Sequence, residues 1–232
     1  PVLLAAAVLR FFDLFHVPDG ILHDEAYNAL DTATAFAWLT PFFHGNSGRE
    51  AGFIYLQAVS LRVFGYSAFA MRFPAAAFGL LTVAVSYPLF TRLFGRMVGL
   101  LTATWLSWSL WHVIFSRTGL RAVSLPLFLA LAFYCLSRAI ARLGADSRDA
   151  PAQSGSREQW LWFALAGALL GLAQYTYSVA RFAQLAFMLA AALQLLTRRR
   201  TVRQLLAGFA LSGLIALLVF FPLGAYFVSH PD

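Results

Sequence analysis

Lysine is absent from these 232 residues: all 17 basic side chains are arginine, set against 10 acidic ones. The net charge of +7 therefore does not come from the lysine-rich mixed patches common on nucleic-acid binders, and no nucleic-acid partner is expected. Charge of either sign is scarce, at 12% of residues, whereas a soluble domain carries about 25%. Cysteine occurs once, at Cys135 inside an apolar run, which excludes an intrachain disulfide and makes the thiol a small buried apolar group. A phosphate-binding glycine loop, a dinucleotide fingerprint, a nucleophilic serine motif and an internal repeat are all missing. An initiator methionine is missing too. Pro1 opens into an apolar run and His230, Pro231 and Asp232 follow another, so the chain is expected to be a piece of a longer protein.

What is abundant is apolar sequence, 60% of residues with a mean hydropathy of +0.71. Charge-free stretches near bilayer length run from Phe73 to Thr91, Met97 to Ser116, Ala122 to Ser137, Gln159 to Ala180, Phe182 to Thr197 and Gln204 to Pro231. A further stretch from Pro1 to Val17 is interrupted only by Arg10 and Asp13, which are close enough in sequence to pair on one helix face. The pattern predicts an all-α integral membrane protein with about seven spans.

Arginine sets the orientation, because short loops rich in it stay in the cytoplasm. Arg92, Arg96, Arg138, Arg142, Arg148, Arg157, Arg198, Arg199, Arg200 and Arg203 fall in alternate loops and are assigned inside. The opposite loops hold Arg49, Arg62, Arg72, Arg117, Arg121 and Arg181 together with Asp19, Asp24, Glu25, Asp31 and Glu50. Residues 18–70 then form a long outer loop, and residues 144–158 a polar cytoplasmic linker. A loop as long as the outer one must contain structure of its own. A helix is predicted over Ala26 to Leu39, entered through acidic residues that suit its positive end, and a short apolar helix over Phe53 to Phe64 lying along the membrane surface.

Chemistry can sit at four places on the outer side. HDEAYNALD, from His23 to Asp31, offers adjacent carboxylates, of which one can face a cleft while the other caps the helix or is held by a neighbour. GNSGREAGFIYLQ, from Gly45 to Gln57, supplies Arg49, Glu50 and Tyr55; a guanidinium fork there can grip phosphate. FSRTGLRAVSLPLF, from Phe115, places Arg117 and Arg121 one helical turn apart, where two cations need an anion or a carboxylate between them. GLAQYTYSVARFA, from Gly171, crowds Tyr175, Tyr177 and Arg181 into one tight turn. The plain alternatives are a solvated helix start for the acids, snorkelling for Arg62 and Arg72, and an interfacial aromatic belt for the tyrosines. A divalent metal could draw on His23, Asp24, Glu25, His44 and His112, although their spacing is not that of a known site.

Taken together with MRFPAAAFGLLT from Met71, RLFGRMVGLLTA from Arg92, WHVIFSRTGLRA from Trp111 and YTYSVAR from Tyr175, these strings resemble polyprenyl-phosphate-dependent glycosyltransferases. The group is GT-C family 39, which includes protein O-mannosyltransferases and lipid A aminoarabinose transferases, and the likeness is to its bacterial members. The resemblance implies a GT-C-type helical bundle with interfacial helices in the first outer loop, residues 1–232 being one truncated transmembrane catalytic domain that is inactive alone. It implies transfer of a sugar from a polyprenyl-phosphate donor to a hydroxyl of a protein, lipid or glycan, on the non-cytoplasmic face of a bacterial inner membrane. Asp24 is then the expected base, with Glu25 beside it. Arg49, Arg117 and Arg121 are the expected holders of the donor phosphate, and His23, Tyr27, Glu50, Tyr55, His112, Tyr175, Tyr177 and Arg181 the expected substrate contacts. Where relatives have proline after the basic or acidic pair, this chain has Ala51, and where some carry a second acid beyond the third span it has Arg121 and Ser124. The rival class is a transporter or flippase, which wants ionisable groups near the membrane midplane; here only Arg10 and Asp13 are so placed. A non-catalytic scaffold is the third, in which Asp24 and Glu25 would be freely replaceable.

Overall fold

A computed structural model describes residues 1–145, 157–197 and 201–230. Most of the expected cytoplasmic linker, with Arg148, and Arg198, Arg199 and Arg200 lie outside the described residues. The rest is helical: α1 (Val2–Phe11), α2 (His23–Trp38), α3 (Ala51–Phe64), α4 (Ala68–Phe94), α5 (Arg96–Trp108), α6 (Leu110–Arg117), α7 (Ser124–Ala145), α8 (Arg157–Ala173), α9 (Ala180–Thr197) and α10 (Val202–Ser229). A 3-10 turn at Arg121–Val123 leads into α7, and a two-residue ladder pairs Phe42–Phe43 (β1) antiparallel with Arg49–Glu50 (β2). The architecture is an all-α membrane protein.

Four helical stretches are long and apolar enough to cross a bilayer: Ala68–Phe94, Arg121–Leu143, Ala180–Thr197 and Val202–Ser229. α5 and α6 reach that length and apolarity only together, and they are bent by 55° where they meet. The sequence reads Met97 to Ser116 as one run, because it holds no acidic residue and no arginine; the break at Ser109 has a distant cause. Arg10 donates to the carbonyls of Leu106 at 3.0 Å and Ser107 at 3.3 Å, satisfying acceptors that the interrupted helix leaves without partners. The expected pairing of Arg10 with Asp13 does not occur. Arg10 turns inward onto those carbonyls and His112 Nδ1 at 2.8 Å, while Asp13 lies 2.6 Å from His16 at the surface.

The other departures follow from helix ends. α1 has 10 residues, about 15 Å of helix, and is too short to span. α8 stops at Ala173, because Gln174, Tyr175 and Thr176 fold back in successive turns. α3 does not rest alone on the membrane surface: Phe53, Ile54, Gln57, Ala58 and Leu61 are buried where it packs on α2 and α4.

The largest core forms where α7, α8 and α10 pack, around Ala132, Cys135, Leu136, Phe163, Leu170 and Leu205. Small residues permit that approach. A Cβ at Gly167 would lie 2.2 Å from the Ser212 carbonyl, and Ser212 donates its hydroxyl to the Phe163 carbonyl at 2.7 Å. α9 is packed lightly, with 11% of its apolar window buried; Phe182, Leu185 and Leu189 are exposed, as lipid-facing side chains are. α4 and α5 reverse at Gly95, whose φ of +94° suits glycine, bringing Arg92 and Arg96 together at the end opposite α2.

Candidate active site

The acidic segment, the β1–β2 hairpin and the α8–α9 turn converge at one end of the bundle. The order begins with α2, whose entry is fixed by Glu25: one carboxylate oxygen accepts from the Leu22 N–H at 2.9 Å, serving the first turn as an acid at a helix start should. The other oxygen accepts from the Gly119 N–H at 2.6 Å and from Arg72 Nε at 3.0 Å. Glu25 is fully buried and Arg72 is 1% exposed. Arg72 is thus not a snorkelling side chain but half of a buried ion pair, and it also donates to the carbonyls of Pro18, at 2.8 Å, and Gly20.

Gly119 is also held through the next peptide, its carbonyl accepting from Asn28 Nδ2 at 3.1 Å and Gln57 Nε2 at 3.2 Å. Asn28 in turn accepts from Arg49 at 2.8 Å, and Arg49 is paired with Asp31. Burial pushes the Asp31 carboxyl up, and the Arg49 charge works against that shift. Arg49 donates its Nε–H to the Gly45 carbonyl at 3.2 Å, and its guanidinium carbon sits 5.6 Å from the centre of the Tyr27 ring.

Glu50, 2% exposed, is shared by two cations: Arg121 at 3.0 Å and Arg181 at 3.6 Å. Arg121 also donates to the Gly48 carbonyl at 3.3 Å and lies 5.4 Å from the Tyr177 ring. Arg181 is 53% exposed, over Phe227 at 5.0 Å. Below it runs an apolar groove of about 470 Å³ between α9 and α10, lined by Phe187, Met188, Phe209, Leu217 and Phe220. The hairpin is tied to α10 by His44 with the Tyr226 hydroxyl at 2.8 Å, and the start of α3 just after it is tied to the α8–α9 turn by the Gly52 N–H on the Tyr175 carbonyl at 2.9 Å. Tyr175 itself donates to the Val219 carbonyl at 2.9 Å, and burial raises its phenol.

Asp24 differs from its neighbours. Its side chain is 60% exposed; it accepts from Asn46 Nδ2 at 2.7 Å and has His23 at 3.7 Å, with no arginine paired to it among the described residues. Arg121 is near enough for Asp24 and Arg49 to act on it electrostatically. The His23 ring lies tilted against the Tyr27 ring, with 4.7 Å between their centres.

Three expected contacts lie elsewhere. Arg117 ends α6 and spends its donors on the carbonyls of Leu9, Phe12 and Val17, closing the end of α1; the chain bends between it and Arg121, so the two do not share a helix face. His112 sits inside the bundle against Arg10. Tyr55 donates to the Thr40 carbonyl at 2.8 Å, bracing α3 against the end of α2. The proposed metal ligands do not converge: among the described residues no three His, Cys, Asp or Glu side chains form a group able to hold an ion. Asn28, Asn46 and Asp31 join the cluster without having stood out in the sequence, and only their position within HDEAYNALD and GNSGREAGFIYLQ connects them to it.

The family model described as "Dolichyl-phosphate-mannose-protein mannosyltransferase" matches residues 51–226, more than half of the chain. The match starts at Ala51, so Glu50 and the acidic segment precede it. No curated protein and no solved structure gives a significant match.

Proposed function

We propose, from the premise that this chain belongs to the dolichyl-phosphate-mannose-protein mannosyltransferase family, that Asp24 is the base of a transfer from a polyprenyl-phosphate sugar to a hydroxyl acceptor. Family membership makes it a membrane glycosyltransferase of the mannosyltransferase type rather than a transporter. The observation that carries the assignment of the base is the contrast among four clustered carboxylates: Glu25, Asp31 and Glu50 are each held by arginine, whereas Asp24 keeps oxygen lone pairs open to an incoming hydroxyl.

In the reaction the acceptor O–H gives its proton to the Asp24 carboxylate as its oxygen attacks the anomeric carbon. The bond from that carbon to the phosphate oxygen breaks, its electron pair staying with the phosphate. Attack opposite the leaving group inverts the anomeric centre. A phosphate leaves without acid assistance if its developing charge meets fixed cations. Arg121 and Arg181 are the residues for this, because they share the one Glu50 carboxylate and Arg181 is half exposed at the head of the apolar groove, whereas Arg117 closes the end of α1 and Arg49 is paired with its own carboxylate, Asp31. The groove below Arg181 suits the isoprenoid tail, being apolar along its walls and cationic at its head. Glu25 is a positioning residue that fixes α2, and hence Asp24, against Arg72 and Gly119. The non-cytoplasmic face is supported by Arg92, Arg96, Arg138, Arg142, Arg157 and Arg203, which lie toward the helix ends on the other side of the spans.

The test uses membranes carrying the full-length protein and polyprenyl-phosphate hexoses labelled in the sugar. Transfer should release polyprenyl phosphate and yield a glycoside of opposite anomeric configuration by NMR. Retained configuration would reject the single displacement, and no transfer with any lipid-linked hexose would reject the donor.

A further inference from the structure

We propose that the end of the bundle opposite Asp24 carries a specific site for an anionic phospholipid with a hydroxylated headgroup, of the phosphatidylglycerol class. A cavity of about 610 Å³ opens there between the end of α4 and the facing sides of α7 and α9. That volume is within the range of specific small-molecule sites, roughly 300 to 1,000 Å³. Its walls are Leu93, Phe133, Leu136 and Ile140, and its polar groups are Arg92, Gln194 and Ser137, whose hydroxyl donates to the Tyr134 carbonyl at 2.7 Å.

Depth fixes what can enter. Arg72 and Arg92 lie on the same helix, separated by about 30 Å at 1.5 Å per residue, which matches the hydrocarbon thickness of a bilayer. Since Arg72 pairs with Glu25 at one interface, the mouth beside Arg92 stands at the headgroup level of the other. Arg92 and Arg96 are exposed there, and no carboxylate among the described residues is within ion-pair range of either. Basic pockets between spans select acidic headgroups. The Gln194 side-chain carbonyl is buried and finds no hydrogen-bond donor among the described residues. A buried acceptor of this kind calls for a donor from the ligand.

The two polar requirements together define the headgroup. A phosphate answers Arg92, and a headgroup hydroxyl donates to Gln194, while an acyl chain lies along the apolar wall. A zwitterionic ethanolamine lipid also supplies a donor, but its ammonium would sit beside two unpaired arginines and its net charge is zero. Free phosphate leaves the apolar walls uncovered. The site does not depend on the donor chemistry at the other end.

The experiment is native mass spectrometry of the full-length protein released from vesicles of equal phosphatidylglycerol and phosphatidylethanolamine. Wild type should retain phosphatidylglycerol preferentially. Arg92→Ala should lower that preference about tenfold, the effect of losing a hydrogen bond to a charged group. Ala141→Trp, which fills the cavity from an exposed position on α7, should displace the lipid with Arg92 left in place. Size-exclusion profiles select variants that remain folded. Equal retention of both lipids by wild type, or an undiminished preference in folded Ala141→Trp, would overturn the site.

Discussion

Glu25 and Asp24 are neighbours with opposite physical situations, and replacing each should affect different properties. Glu25 is fully buried and accepts from Arg72, Gly119 and Leu22. Glu25→Ala leaves the Arg72 guanidinium buried without its counter-charge and takes an acceptor from two backbone N–H groups. Removing one member of a buried pair costs about 3–5 kcal/mol, enough to lower the unfolding midpoint by roughly 10 °C in a chain of this size. Asp24 is 60% exposed with one hydrogen bond from Asn46, so Asp24→Asn should change stability by no more than about 0.5 kcal/mol. The assay is the loss of monodisperse protein on heating in detergent, followed by size exclusion for both variants and wild type. Arg72→Met combined with Glu25→Ala should destabilise less than the sum of the single changes, since the double variant leaves neither charge unpaired. A Glu25→Ala midpoint within 2 °C of wild type, or additive effects with Arg72→Met, would refute the buried pair as the anchor of α2.

Arg117→Ala should destabilise by about 1–3 kcal/mol, because its guanidinium closes the carbonyls after α1, yet leave the KM for donor unchanged; a raised KM would return Arg117 to the phosphate site. Arg181→Gln should raise the donor KM about tenfold with little loss of thermal stability, as its side chain is half exposed and its ion pair with Glu50 is long at 3.6 Å; an unchanged KM would remove it from the phosphate site. Gly167→Leu should destabilise by about 1–3 kcal/mol by driving α8 away from the Ser212 backbone, and a midpoint equal to wild type would contradict the close packing of α8 on α10.

Hydropathy made the long helices legible because a bilayer imposes a length that composition alone reveals, and α4, α7, α9 and α10 lie where charge-free runs occur. The break at Ser109 was not legible, since the residue responsible, Arg10, is nearly a hundred positions away and acts on backbone carbonyls that carry no sequence signal. The adjacent acids and the arginines around them could be read as a chemical cluster. Their pairing could not: Glu25 meets Arg72, Glu50 meets Arg121 and Arg181, and Arg117 meets the end of α1, all through tertiary contacts between distant segments. Spacing made Arg117 and Arg121 a pair on one helix, whereas the chain leaves helical geometry at Thr118 and sends them to different partners.

The most direct test of the account measures turnover and donor binding together for wild type and Asp24→Asn in membranes carrying the full-length protein. The account predicts polyprenyl phosphate release by wild type, loss of at least about 100-fold in the variant as a general base is removed, and donor binding retained by both. Equal release by wild type and Asp24→Asn would contradict it and move the base to another residue.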